Sequence, residues 1–160
     1  MTFRLPRPLA SICCVLALSC DSSPRQTEFG PVSTVSAYLE GVRPVLQELR
    51  VLNREIEDAV QSESVQIEVI LPLIKEEYRP QLIQLQNRAQ QLAPGTNLRP
   101  INDKLLAYLE LRIRAYDLVL AGARENKPEL FTAFYQTQIE ADSAARVFET
   151  SLRQVQDSMR

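Results

Sequence analysis

The feature that most restricts the fold of this 160-residue chain is an apolar heptad repeat that recurs in four successive segments. In the first segment, apolar residues alternate in steps of three and four, which is the spacing of one buried helical face. They are Val35, Tyr38, Val42, Val45, Leu49, Leu52, Ile56 and Ala59. Pro44 lies within this segment and removes one helical hydrogen bond, but the repeat keeps its phase across the proline. We therefore predict one kinked helix here rather than two separate helices.

The second segment carries the same repeat with one interruption. Its apolar positions are Ile67, Leu71, Ile74, Tyr78, Leu82, Leu85, Ala89 and Leu92. Two consecutive steps of four, from Ile74 to Tyr78 to Leu82, form a stutter in the heptad repeat, and Pro80 lies within it. Residues 65–71 also alternate as a strand would, but the repeat continues far beyond strand length and no partner strand is evident. A helix is therefore favoured.

The third and fourth segments begin at Pro100 and Pro128, a residue that suits the first turn of a helix. The repeat of the third segment consists of Leu106, Leu109, Ile113, Tyr116, Leu120 and Ala123. The repeat of the fourth consists of Phe131, Phe134, Ala141, Ala145, Phe148, Leu152, Val155 and Met159, with Gln138 as its one polar member. Four helices of matched length with short connections predict an all-α, antiparallel up-down-up-down four-helix bundle. The helices are expected near residues 33–60, 64–92, 100–125 and 128–158.

The first nineteen residues have the features of an export signal. A positive segment with Arg4 and Arg7 precedes ten uncharged residues, 9–18. A ten-residue helix spans ~15 Å, about half of a ~30 Å hydrocarbon core, so this segment is too short for a stable membrane span. It is typical of a cleaved secretory signal.

Residues 16–20, Leu-Ala-Leu-Ser-Cys, resemble the lipobox of bacterial lipoproteins, in which the cysteine is acylated and becomes the new N-terminus. The resemblance implies a lipoprotein of the bacterial cell envelope, anchored to a membrane through acylated Cys20 and facing the periplasm or the outside. The sequence departs from the family pattern at Ala17, where leucine is usual. Ala17 and Ser19 would also suit ordinary signal peptidase, which would leave a secreted soluble protein with a free thiol at Cys20.

The distribution of cysteines agrees with acylation. All three cysteines, Cys13, Cys14 and Cys20, lie at or before the expected cleavage point, so the mature chain can form no internal disulfide. Residues 20–32 are polar, contain prolines and a glycine, and show no helical period, which predicts a flexible tether ahead of a helical domain at 33–160.

The composition excludes several kinds of chemistry. The chain has no histidine, which removes the usual general base, the commonest metal ligand and the Glu-x-x-His motif of di-iron bundles. No phosphate-binding glycine-rich loop is present. We therefore predict a protein that is not an enzyme and that uses no metal or cofactor. Its net charge of −2 and its scattered basic residues argue against nucleic acid as a partner.

Two sets of residues are candidate binding sites. Tyr38, Tyr78 and Tyr116 lie on the apolar seams with Gln138 and are a possible ligand pocket, although ordinary core packing is the favoured interpretation. The third helix also carries extra apolar residues that form either a partner surface or the wider face of a more central helix; these are Leu105, Tyr108, Leu111, Leu118 and Val119.

The resulting functional hypothesis is a cell-envelope lipoprotein whose helical domain is a non-catalytic interaction or scaffold module with a protein partner or a second copy. The alternative is an extracytoplasmic, ligand-binding or sensory helical bundle with a small-molecule cavity.

Overall fold

The computed structural model describes residues 25–61 and 67–160, which are mostly helical. The elements are β1 (Gln26–Thr27), β2 (Gly30–Pro31), α1 (Val32–Gln61), α2 (Ile67–Leu73), a π-helical segment (Ile74–Tyr78), α3 (Arg79–Gln91), α4 (Arg99–Glu125) and α5 (Pro128–Asp157). The all-α prediction is confirmed, and the helix ends lie close to the predicted ones; residue 64, the predicted start of the second helix, lies outside the described residues. In the part of the chain that the structure describes, none of the helices has the length and apolar character needed to cross a membrane.

The predicted apolar face of α1 is its buried face. Six of its eight positions are buried, and Ile56 and Ala59 are half-buried. Helix α1 continues through Pro44 without being split. Pro44 and Glu40, whose carbonyl loses its helical partner to the proline, are both exposed. Because water can bond that carbonyl, the proline is tolerated inside the helix.

The predicted stutter corresponds to the π-helical segment between α2 and α3. Leu73 and Arg79, on either side of it, keep helical backbone angles, and the N–H of Arg79 donates to the carbonyl of Ile74, five residues earlier. This wider turn keeps residues four apart on one face, and Ile74, Tyr78 and Leu82 are all buried. Residues 67–91 therefore form one helical rod, with Pro80 just after its wide turn.

Helix α4 buries a wider face than its predicted repeat. Leu106, Ile113 and Leu120 are only half-buried, whereas the residues just before them, Leu105, Arg112 and Val119, are buried. The reason is that α4 packs against α3 on one side and α5 on the other. The interpretation of α4 as a more central helix therefore replaces the predicted partner surface. Of its five residues, Leu105, Tyr108 and Val119 are buried and Leu111 and Leu118 are half-buried, so they do not form an exposed patch.

Part of the predicted tether belongs to the folded domain. Residues 26–31 form a short antiparallel hairpin, in which the Thr27 hydroxyl donates to the carbonyl of Gly30 at 2.9 Å. Gly30 has a φ of 118°, which favours glycine. Phe29 packs against the hydrophobic core, and Asn97 donates a side-chain hydrogen bond to the hairpin. The tether prediction is therefore wrong from residue 25 onward, because an apolar side chain in this polar stretch holds it against the helices.

Candidate functional site

A groove between α1 and α5 is the main candidate site. Helix α1 approaches α3 closely but α5 at few points, and the space left over α4 has a volume of about 620 Å³. We call it the α1–α5 groove. It is lined by Leu46, Leu49, Arg50, Asn53, Ile56 and Glu57 of α1, Tyr108 and Arg112 of α4, and Gln138, Asp142, Ala145, Phe148, Glu149, Leu152, Arg153 and Gln156 of α5.

The floor of the groove holds a buried arginine. Arg112 is only 9% exposed and lies one helical turn from Tyr108 and one from Tyr116. Its Nη2 donates to the Tyr116 hydroxyl at 3.3 Å, and its guanidinium carbon lies 5.8 Å from the centre of the Tyr116 ring. Its Nε is fully buried and has no hydrogen-bond partner among the described residues.

Arg112 makes no direct ion pair in residues 25–61 and 67–160, since none of the pairs found there includes it. The exposed carboxylate of Asp142, in the same lining, acts on its charge only from farther away. Burial acts to lower the pKa of its guanidinium, but Tyr108, Tyr116 and Asp142 outweigh this effect and the pKa lies above its usual value. The side chain is therefore a permanent cation. A buried, unpaired charge destabilises a fold by several kcal/mol, so its presence requires an explanation.

A second unpartnered polar group faces the same groove. The Nδ2 of Asn53 donates to the Tyr108 hydroxyl at 3.4 Å, whereas its Oδ1 is buried and has no partner in the described part of the chain. The buried groups of the groove are thus hydrogen-bonded only in part, through two tyrosine hydroxyls.

The remaining lining divides into a charged rim and an apolar wall. Arg50 and Arg153 are exposed, as are Glu57, Asp142 and Glu149. The apolar wall consists of Leu46, Leu49, Ile56, Ala145, Phe148 and Leu152. The described lining contains no serine, threonine, cysteine or lysine that could act as a nucleophile. This arrangement can bind an amphipathic molecule.

The structure does not bring the four residues of the predicted ligand pocket together. Tyr38, Tyr78 and Tyr116 are buried in the hydrophobic core, and only Gln138 lines the groove. Tyr38 lies in the first turns of α1, where burial raises the pKa of its hydroxyl and Asp103 adds to the rise. Tyr116 reaches the groove indirectly, through its hydrogen bond with Arg112.

The apolar repeat does not identify Arg112, because a charged residue is not expected on the buried face of a helix. The available signal was its place between two tyrosines, since Tyr108, Arg112 and Tyr116 follow one another at four-residue spacing. That spacing puts all three side chains on one side of a helix.

A second cleft, of about 640 Å³, lies beside the π-helical segment and α4. It contains three basic side chains, Lys75, Arg79 and Arg124. They are solvent-accessible, and Arg79 is paired with Asp117 at 2.6 Å. Because these charges are hydrated or paired, this cleft is the weaker candidate.

No group of three or more Cys, Asp or Glu side chains in the described ranges could hold a metal ion, and Cys20 lies outside them. No protein-family model matches the sequence, and no curated protein or solved structure matches it either.

Proposed function

We propose that this chain is a non-catalytic, ligand-binding domain of the bacterial cell envelope that receives its ligand in the α1–α5 groove. Of the two functions that the sequence leaves open, the groove favours ligand binding. The observation that carries the proposal is Arg112, a cation that is 9% exposed, lines the groove and has no carboxylate partner among the described residues. A bound anion would supply a counter-charge in direct contact with the guanidinium.

A purely structural role explains Arg112 poorly. Replacing a buried charge by an apolar side chain of similar size is often neutral or stabilising, by about 1–4 kcal/mol. The hydroxyl of Tyr116 and the face of its ring compensate only part of the charge. A residue that costs stability and has no partner in the described fold is typical of a site that is kept for function.

We also propose that the helices are arranged as an antiparallel up-down-up-down bundle. Contacts between successive helices join residues in opposite order along the chain, which supports it. For α4 and α5, Lys104 bonds Ser151 at 2.7 Å, while Gly122 lies against Phe131. In such a bundle the first and last helices are neighbours, so the groove marks the place where α1 and α5 are held apart.

The proposal also includes anchoring through acylated Cys20. The support is the lipobox resemblance of residues 16–20 and the position of all three cysteines at or before the cleavage point. Replacing Cys20 by serine is expected to move the protein from the membrane fraction to the soluble fraction. Unchanged fractionation would contradict lipid anchoring but would not bear on the proposal that the groove binds a ligand.

The binding role is tested by the stability of Arg112→Met and of the matched rim variant Arg50→Met. If Arg112 serves a ligand, R112M unfolds in urea at the same or a higher concentration than the wild type, because a buried unpaired charge is gone. The exposed R50M is expected to change the free energy of unfolding by less than about 0.5 kcal/mol. A loss of several kcal/mol in R112M alone would assign Arg112 to the core and contradict the proposal.

A second candidate function, association with a protein partner or a second copy, is favoured by an exposed apolar stripe on α5. Tyr135, Ile139 and Val147 are 67%, 60% and 50% exposed and lie on one side of the helix. Sedimentation of the wild type and of the Tyr135→Ser, Ile139→Ser double variant tests self-association. A monomer in both cases contradicts the second-copy version of this function.

A further inference from the structure

We infer that the ligand of the α1–α5 groove is an aliphatic monocarboxylate, with its carboxylate on Arg112 and its chain along the apolar wall. This inference rests on the proposed function of the groove and specifies the chemical class that it binds. It follows from three properties of the lining: the type of buried donor, the balance of charge and the apolar area.

The buried donors select a carboxylate. A guanidinium offers N–H groups in a planar fork that matches two carboxylate oxygens, and such charge-assisted bonds are stronger than neutral ones. The Nε–H of Arg112 has no partner in the described fold and is fully buried, so a carboxylate reaches it only after the side chains that cover it move aside. An amide such as that of Asn53 can be turned by half a rotation. Its Oδ1 would then accept from the Tyr108 hydroxyl, and its Nδ2 would become a second donor to the ligand.

The charge balance selects a single negative charge. Three arginines line the groove, Arg50, Arg112 and Arg153, and so do three carboxylates, Glu57, Asp142 and Glu149. The two exposed arginines are therefore outnumbered by the three carboxylates, which are exposed as well. A phosphate dianion or a polyanion would meet this acidic rim, and like charges facing each other are unfavourable. One carboxylate matches the one buried cation.

The apolar wall selects an aliphatic chain. Leucine and isoleucine side chains of α1 face Phe148 and Leu152 of α5 across the groove. Its volume of about 620 Å³ lies within the range of small-molecule sites, roughly 300–1,000 Å³. Both the wall and Arg112 belong to the same groove, so one molecule with a charged head and an apolar chain can contact both.

The test is a titration of the intact purified protein with decanoate, kept below the concentration at which it forms micelles. Decan-1-ol has the same chain without the charge, and acetate has the charge without the chain. Binding is followed by nitrogen–proton correlation NMR, which reports the Arg112 Nε–H directly. We expect decanoate to shift this resonance and those of the groove, and to bind more tightly than decanol or acetate.

The variants R112M and R114M complete the test. R112M is expected to weaken decanoate binding by roughly tenfold or more, since a charge-assisted hydrogen bond is lost. R114M is expected to bind within about threefold of the wild type, because Arg114 is exposed on the same helix and does not line the groove. Decanol binding as tightly as decanoate, no decanoate binding, or shifts confined to residues outside the groove would each overturn the ligand class. These outcomes leave the proposed function standing if R112M is as stable as the wild type. A strongly destabilised R112M would instead count against the groove as a binding site.

Discussion

The two sides of α1 differ in how closely they pack against the neighbouring helices and in whether the charged groups there are paired. On the side of α3 the helices meet closely, and a Cβ added at Gly41 would lie 2.9 Å from a methyl carbon of Leu92. Arg88 of α3 donates two hydrogen bonds to the carboxylate of Glu48. On the side of α5 the helices are held apart by the α1–α5 groove, whose floor is Arg112.

Arg88 and Arg112 differ in both exposure and pairing. Arg88 has a side chain that is 41% exposed, and although water could solvate it, it has a carboxylate partner. Arg112 is 9% exposed and has none in the described fold. Electrostatic pairing matters most where water is excluded, so the arginine that most needs a partner is the one without it. A partner from outside the chain resolves this difference.

The largest expected effect is that of a charge introduced beside Arg112. Leu109 lies one turn before Arg112 on α4 and is 0% exposed. Leu109→Asp places a carboxylate in the core and is expected to cost more than about 4 kcal/mol, enough to abolish cooperative unfolding. Near-ultraviolet circular dichroism and urea denaturation measure this.

R112M is the control variant for L109D. Both changes alter charge on the buried face of α4, but only L109D should unfold the domain. A folded L109D variant with native stability would mean either that position 109 faces water or that the new carboxylate pairs with Arg112. The double change L109D and R112M separates the two, since it stays folded only if position 109 faces water, in which case the helix orientation that places Arg112 in the groove would be wrong.

A smaller effect is expected when an apolar side chain is truncated at the α1–α3 contact or in the groove wall, and the two losses of stability should differ. Leu82 is 0% exposed in α3, on the closed side, and Leu82→Ala is expected to lower the free energy of unfolding by about 3 kcal/mol. Ile56 is half-buried in the wall of the groove, and Ile56→Ala is expected to cost about 1 kcal/mol because less apolar area is lost to water. Urea unfolding of the two variants measures the difference. Equal losses would mean that the groove wall is packed as tightly as the core.

The sequence predicted the helices well because heptad spacing reports burial directly. The faces of α1 and α5 follow from it, and so does the place of the π-helical segment, since a stutter needs a wider turn to keep Ile74, Tyr78 and Leu82 on one face. The sequence-based prediction fails at residues whose polarity does not match their surroundings. Phe29 binds a polar stretch to the core, and Arg112 is buried although it is charged.

The groove itself could not be predicted from the repeat. Heptad spacing gives the direction in which each helix faces but not the distance between two faces. The seam of α1 is apolar throughout, and that of α5 is interrupted only by Gln138. The distance depends on side-chain packing across three helices, including Arg112 of α4 below the two seams. The repeat likewise does not give the distances between the four residues of the possible tyrosine pocket. Tyr38, Tyr78 and Tyr116 lie in the core, whereas Gln138 lines the groove.

The smallest expected effect concerns the surface pair that contrasts with Arg112. The hydrogen bond from Arg88 lowers the pKa of Glu48 below its ordinary value. A carboxyl whose pKa is lower in the folded state stabilises the fold above its unfolded pKa, and this contribution is lost as the pH falls through the folded pKa. Arg88→Met is therefore expected to lower the free energy of unfolding at neutral pH by only a few tenths of a kcal/mol, because both groups are exposed.

Urea unfolding of R88M and the wild type at several pH values tests the sign of this contribution. The difference between them should vanish once Glu48 is protonated, and it should shrink in molar salt, which screens exposed charges. A difference that persisted at low pH would reflect packing of the arginine stem rather than the ion pair, and Arg88 would no longer be an electrostatic counterpart to Arg112. If the stability difference between R88M and the wild type follows the protonation of Glu48, Arg88 and Arg112 differ in how their charges are paired. On the side of α1 that faces α3, removing the ion pair then lowers the free energy of unfolding only slightly. On the side that faces α5, removing Arg112 does not lower the free energy of unfolding and weakens only the binding of a ligand.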